Sequence, residues 1–355
     1  MRGLLAFGRD PPYSRRSTFP TQEPAVPQSR SAAAAPFALF IAVTLWGSSF
    51  VATKIGLRQL EPLSIVWLRQ LVATLAILPF WLPAWLRHRH AATVRRSDTG
   101  LLLLLAFFQP CLYFVCESYA LQLTTASQAG VVSAMMPLMV AVVAGAMLGE
   151  QVTRRMWGGF ALSVTGVVWL TLASAPEESA PSPMLGNMLE LAAMACGVGY
   201  TIACRKLGST FSPVIITGVQ ILAGFLFFLP GAFMLPAGFT SMAAQALTTP
   251  GSDAAISLFA VGYLGLFVTL GAFALYNFGV SALSASKASA WINLVPVVSI
   301  VLGHLVLGET FSPYQAGGAL LVLGGLYLCQ RTPAPPRHGI MQVQKPQRAG
   351  ALEKE

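Results

Sequence analysis

Four charged side chains, Lys54, Arg69, Glu117 and Glu190, stand inside long apolar runs of the sequence. Placing an ionised group in hydrocarbon costs on the order of 3 kcal/mol unless it is paired or hydrated. Such residues therefore pair with one another, hold a charged solute or carry a proton; Lys54, at the end of its run, can also snorkel to the headgroups. Polar and aromatic residues accompany them at similar depth: Trp46, Ser49, Gln109, Tyr113, Tyr200, Tyr276, Asn277, Trp291 and Asn293. Amides and hydroxyls among aromatic rings can orient a small zwitterion or amphiphile while presenting little permanent charge. Packing accounts for any one of these rings, but their recurrence in the first, third, sixth, eighth and ninth apolar runs favours a shared cavity. Arg69, Glu117 and these nine residues form the candidate substrate site.

Other chemistries lack their residues. No G-x-x-x-x-G-K-[ST] loop is present to bind nucleotide, and no H-E-x-x-H or paired-Asp motif to hold a catalytic metal. Of the four histidines, His88, His90 and His338 fall in loops or the tail, and His304 reads as a satisfied neutral imidazole. The five cysteines, Cys111, Cys116, Cys196, Cys204 and Cys329, lie within apolar runs without metal-ligand spacing and read as small buried hydrophobes. No cofactor, metal or catalytic residue is expected.

These side chains need elements to carry them. Apolar residues make up 55% of the 355 and charged residues only 10%, against about 25% charged in a soluble domain. The apolar runs fall near 36–54, 63–86, 100–121, 129–149, 156–174, 184–204, 213–235, 254–280, 288–308 and 314–330. Each approaches the roughly 20 residues a helix needs to cross a bilayer, and none alternates as a barrel strand would. The expected fold is an all-α polytopic membrane protein with ten transmembrane helices. Residues 1–35, rich in Pro, Ser and Arg, and residues 331–355 read as disordered tails.

With the N-terminus in the cytoplasm, nineteen of the twenty-two Lys and Arg residues fall on the inner side, leaving only Arg58 in an outer loop and Lys54 and Arg69 within helices. That bias follows the positive-inside rule and sets both termini in the cytoplasm of a bacterial-type inner membrane. The net charge of +9 is thus a topology signal, and no nucleic-acid partner is expected.

A shift of 159 residues lays "MPLMVAVVAGAMLGE" (136–150) over "VPVVSIVLGHLVLGE" (295–309). Pro137 then meets Pro296, Glu150 meets Glu309, Ala126-Ser127 meets Ala285-Ser286, and Gly158-Gly159 meets Gly317-Gly318. A shift of 151 aligns Pro62 with Pro213, Pro79 with Pro230 and Arg69 with Gln220, while Gly47 lies over Gly197 and Phe50 over Tyr200. The chain reads as two five-helix repeats, 36–174 and 184–330, joined by an outer linker at 175–183. Five is odd, so the second repeat must be inverted; in agreement, residues 236–253 and 310–313, the counterparts of basic inner loops, hold no Lys or Arg.

The repeated Pro-to-"LGE" helix followed by a Gly-Gly helix, preceded by "TTASQA" and "SASKAS", with "LWGSSFVATK" in the first helix, resembles the EamA-like transporters of the drug/metabolite transporter superfamily. The resemblance covers about 36–330 and implies a ten-helix secondary transporter, often an exporter of amino acids or other small metabolites. It also implies two inverted halves around a central cavity, within a lipid bilayer. Proton or other ion coupling and a homodimer remain open. A flippase for a lipid-linked substrate is the alternative, and an intramembrane enzyme a remote one.

Glu150 and Glu309 precede Thr153 and Ser312 by three residues, so each is expected in a tight turn, its carboxylate favouring the next helix N-terminus. Pro137 and Pro296 are expected to free a carbonyl within the fourth and ninth helices. The glycines at 158, 159, 166, 317, 318, 324 and 325 are expected at a close helix contact, between halves or between subunits. Substitution of Arg69 or Glu117 is expected to alter transport more than substitution of Glu309.

Overall fold

A backbone in hydrocarbon finds no water to bond, so a long apolar segment must satisfy its own N–H and C=O groups, and it does so by coiling. The computed structural model describes residues 28–91, 96–148, 153–208, 210–283, 288 and 290–330. Among them the only extended pairing is an isolated bridge between Glu177 and Ala180. The helices in chain order are α1 (Gln28–Gly56), α2 (Pro62–Ala91), α3 (Arg96–Ala106), α4 (Tyr113–Leu123), α5 (Ala126–Ser133), α6 (Met135–Leu148) and α7 (Arg154–Leu172). They continue as α8 (Pro183–Leu207), α9 (Pro213–Phe227), α10 (Phe239–Thr248), α11 (Asp253–Tyr263), α12 (Phe273–Ala282), α13 (Val295–Leu307) and α14 (Pro313–Gln330).

Six stretches among the described residues are long and apolar enough to cross a membrane: Ala34–Gly56, Pro62–Arg87, Asp98–Leu123, Ala126–Val143, Pro183–Leu207 and Asp253–Ala282. Pro213–Phe227 and Trp291–Leu307 are apolar but shorter. The surface confirms the solvent: Phe233 is 88% exposed and Leu172 76%, whereas Arg69 and Glu190 are 2% and 0% exposed. Apolar groups outside and charges inside is the arrangement that lipid selects. The protein is an integral membrane protein.

Several expected helices are interrupted, and the interruptions repeat. The third run opens into a π-helical segment, Phe107–Leu112, in which Gln109 has extended backbone angles (φ −142°, ψ 117°). The eighth run widens at Leu264–Ala272 between α11 and α12. The fourth run breaks at Ala134 between α5 and α6, and the ninth begins as a 3₁₀ turn, Ala290–Leu294, before α13. Each of these last two breaks lies just before a proline, Pro137 or Pro296, within an apolar span that continues through it, Ala126–Val143 or Trp291–Leu307. A proline cannot donate to the carbonyl four residues earlier, here that of Ser133 or Ile292, so both breaks fall beside a carbonyl without its helical donor. Ser312 and Gln315 form a reciprocal cap at the start of α14: the Ser312 N–H donates to Gln315 Oε1 (2.8 Å) and the Gln315 N–H to Ser312 Oγ (3.2 Å). Ser212, which precedes Pro213 at the start of α9, makes no side-chain cap.

α7 and α14 pack along their length in opposite directions, with Gly166 against Gly318 and Val322, and Gly325 against Gly159 and Ser163. A Cβ at Gly166 would stand 2.6 Å from the Val322 backbone nitrogen and 2.7 Å from the Gly318 carbonyl oxygen, so only glycine lets the backbones approach this closely. The contact expected of these glycines thus joins the two halves of one chain. Gly317 faces open space, and Gly158 and Gly324 meet only ordinary contacts.

A candidate solute cavity in the bundle core

Arg69 comes from the second helix, buried to 2% exposure. Its Nε donates to Thr269 Oγ1 (2.8 Å), its guanidinium carbon lies 4.3 Å from the Phe114 ring centroid, and its Nη1 is 4.0 Å from Glu117 Oε2. The Tyr113 hydroxyl donates to the other oxygen of Glu117, Oε1, at 3.1 Å. A guanidinium thus has a carboxylate, a hydroxyl and an aromatic face as partners, which is what keeps the charge tolerable away from water.

A second network forms beside it. The Tyr200 hydroxyl donates to Asn277 Oδ1 (2.6 Å), and Asn277 Nδ2 donates to Thr217 Oγ1 (2.8 Å) and Gln220 Oε1 (3.1 Å). Gln220 Nε2 in turn donates to the Gln109 carbonyl (3.2 Å), a group that the extended backbone at Gln109 releases from helical bonding. Arg69 and Gln220 occupy matching positions, and each reaches the widened segment of the other half: Arg69 to Thr269, Gln220 to Gln109.

Between the networks lies a narrow cavity with about 40 Å³ of room for water-sized molecules. Of the eleven candidate residues, Trp46, Ser49, Arg69, Gln109, Tyr113, Glu117 and Tyr200 line it. Tyr276 and Asn277 stand behind this wall, Tyr276 with its ring 4.7 Å from Trp46 and Asn277 in the network above. Trp291 and Asn293 do not line the cavity; from their segment Ile292 and Val295 do. Trp46 Nε1 is buried without a hydrogen-bond partner among the described residues. Phe114, Met136, Met194 and Phe273 complete the apolar lining. Nothing in the sequence distinguishes these from ordinary core residues. Thr269 and Gln220 were more accessible: each is a polar residue in an apolar run, and Gln220 matches Arg69.

Further contacts join the two halves away from the cavity lining. The Glu309 carboxylate accepts from the backbone N–H of Ala126 (Oε1, 2.8 Å) and of Ser127 (Oε2, 2.8 Å). Glu309 therefore caps α5, a helix of the other half, and not the α14 turn that its spacing from Ser312 suggested. His304 Nδ1 donates to the Glu309 carbonyl at 3.0 Å. Lys54 reaches the Ser179 carbonyl and lies within electrostatic range of Glu309. Glu150 lies outside the described residues. Among the described residues, no three His, Cys, Asp or Glu side chains gather as a metal site would require.

Sequence comparison matches residues 34–172 and 184–330 each to the EamA-like transporter family. The chain belongs to that family. This EamA-like protein is 27% identical over 291 residues to the uncharacterized transporter YetK of Bacillus subtilis, covering 82% of this chain and 84% of YetK. It is 26% identical over 299 residues to a protein of Streptantibioticus cattleyicolor named "Probable terminal-alkyne amino-acid exporter", covering 84% of this chain and 94% of that one. Against a protein of Salmonella typhimurium named "Probable amino-acid metabolite efflux pump", identity is 26% over 301 residues, with 82% and 93% covered. A solved crystal structure superposes with a TM-score of 0.55 at 18% identity, over 83% of this chain and 97% of that one, so the EamA-like protein shares its fold.

Proposed function

We propose that this chain is a secondary active exporter of small metabolites, amino acids or related amphiphiles, working by alternating access. The observation that carries the reading is the narrow cavity in which Arg69 and Glu117 stand beside the amide network, lined by residues from both halves of the repeat. Residues of both halves face one another across this narrow space, so a rocking of one half against the other would change its access. The two halves act as inverted five-helix repeats of a ten-helix bundle. The antiparallel packing of α7 against α14, which correspond under the repeat, supports the inversion. The names of the two amino-acid-exporting relatives support the substrate class. The charge distribution supports an inner-membrane location with both termini cytoplasmic. In this orientation the Glu309 clasp lies toward the outer side.

The test is uptake by proteoliposomes of a panel of radiolabelled amino acids, without nucleotide, with and without a pH gradient. At least one amino acid should accumulate well above empty liposomes, and the Arg69→Gln and Glu117→Gln variants should lose most of that uptake. Equal retention in loaded and empty vesicles across the panel, extended to nucleosides and organic cations, would overturn the reading.

A further inference from the structure

Glu190 is the one intramembrane charge for which the described structure provides no compensation. It lies on α8, seven residues after Pro183, roughly 10 Å into the helix at 1.5 Å per residue. The residue is 0% exposed, and neither carboxyl oxygen has a hydrogen-bond partner. It stands one helical turn before Met194, which lines the cavity, on the Pro183 side of that residue.

The groups that face it come chiefly from α4: the carboxyl of Glu117, the hydroxyl of Tyr113 and the thiol of Cys116 are within electrostatic range. α5 and α6, also packed on α8, carry no titratable side chain in Ala126–Ser133 or Met135–Leu148. The titratable residues of α3 and α7, Arg96, Asp98, Arg154 and Arg155, belong to the first turns of those helices, and Tyr276 of α12 is in the wall behind Trp46. Arg69 is already committed to Glu117 and Thr269, and Lys54 to Ser179. The Arg69–Glu117 pair is neutral as a unit. An ionised Glu190 would add a bare negative charge beside a carboxylate, with no hydrogen-bond donor to it among the described residues.

We propose that Glu190 is the proton-binding site that couples transport to the pH gradient, protonated while the cavity is closed and releasing its proton to water when the cavity opens. The inference rests on the transport reading above. A bacterial-type inner membrane is acid outside, so export driven by this gradient requires proton entry against solute exit. Glu190 would take up its proton from the outer side and yield it to water on the inner side. Opening to the inner side wets the carboxyl on the less acid side and stabilises its ionised form, so proton release and inward opening favour each other by linkage.

Two measurements separate this inference from the function it rests on. In infrared spectra of the purified full-length protein at neutral pH, the carbonyl stretch of a protonated carboxylic acid should be present. It should disappear in Glu190→Gln and persist in Glu117→Gln. In proteoliposomes tested with the radiolabelled amino-acid panel, the stimulation of transport by an imposed pH gradient should fall at least tenfold in Glu190→Gln and return in Glu190→Asp, both variants eluting as the wild type on size exclusion. A neutral-pH carboxylic band that is absent from the wild type or unchanged in Glu190→Gln would overturn the proposal, as would undiminished gradient stimulation in Glu190→Gln. Should the wild type move none of the amino acids, the transport reading fails, and the infrared result still decides whether Glu190 holds a proton.

Discussion

Arg69 shows how a charge is made tolerable in this bundle, and the same contacts set what its removal does. Deleting one member of a buried ion pair leaves the other unpaired, which costs about 3–5 kcal/mol, whereas replacing both by groups of similar volume is often close to neutral. Arg69→Met alone should therefore lower the detergent-solubilised protein's unfolding temperature sharply, since it strands the Glu117 carboxylate 4.0 Å away. Arg69→Met combined with Glu117→Gln should recover most of the loss while leaving transport abolished. A double variant no more stable than the single one would show that Thr269 and Phe114, not the carboxylate, hold Arg69 in place. The importance of these residues was legible in the sequence because a charge in an apolar run is rare. Their partners were not: pairing depends on which helices touch, and the sequence left Lys54 and Arg69 equally free to meet Glu117 or Glu190.

The apolar runs announced the helices themselves, because in lipid no other local structure satisfies the backbone. Their interruptions were less legible. Pro110 sits beside the extended Gln109, but no proline marks the widened Leu264–Ala272 segment, where bonds across the bundle take the place of a local signal. The glycine helices carry a sharper sequence signal and a sharper prediction. Gly166→Ala should destabilise the protein by roughly 1–3 kcal/mol, because the added methyl meets backbone atoms of α14 that cannot rotate away. Gly317→Ala, on the face open to lipid, should be neutral or slightly stabilising through helix propensity. Thermal unfolding of the two variants under the same detergent conditions gives the comparison, and equal shifts would mean that α7 and α14 do not meet through Gly166.

At the scale of the molecule, the repeat in the sequence gives the Glu309 clasp a counterpart. Shifting Glu309, Ala126 and Ser127 by 159 residues gives Glu150, Ala285 and Ser286, so the sequence repeats the residue types of this contact at positions outside those described. If the chain opens alternately as proposed, a pair of such contacts would not both be closed at once, and Glu309 would act as a gate residue with more weight in transport than its edge position suggested. Its carboxylate binds two backbone N–H groups at 2.8 Å. Losing a charge-assisted cap of this kind costs about 1–2 kcal/mol, or roughly a tenfold change in the closed-to-open ratio. Glu309→Ala should therefore raise the rate at which a membrane-impermeant maleimide, added from outside, labels a cysteine placed at the cavity residue Ser49, in a chain whose five native cysteines have been replaced. Glu150→Ala should lower that rate by favouring the opposite opening. If both substitutions change labelling in the same direction, the clasps do not oppose one another, and α5 and α13 are joined for stability and not for gating.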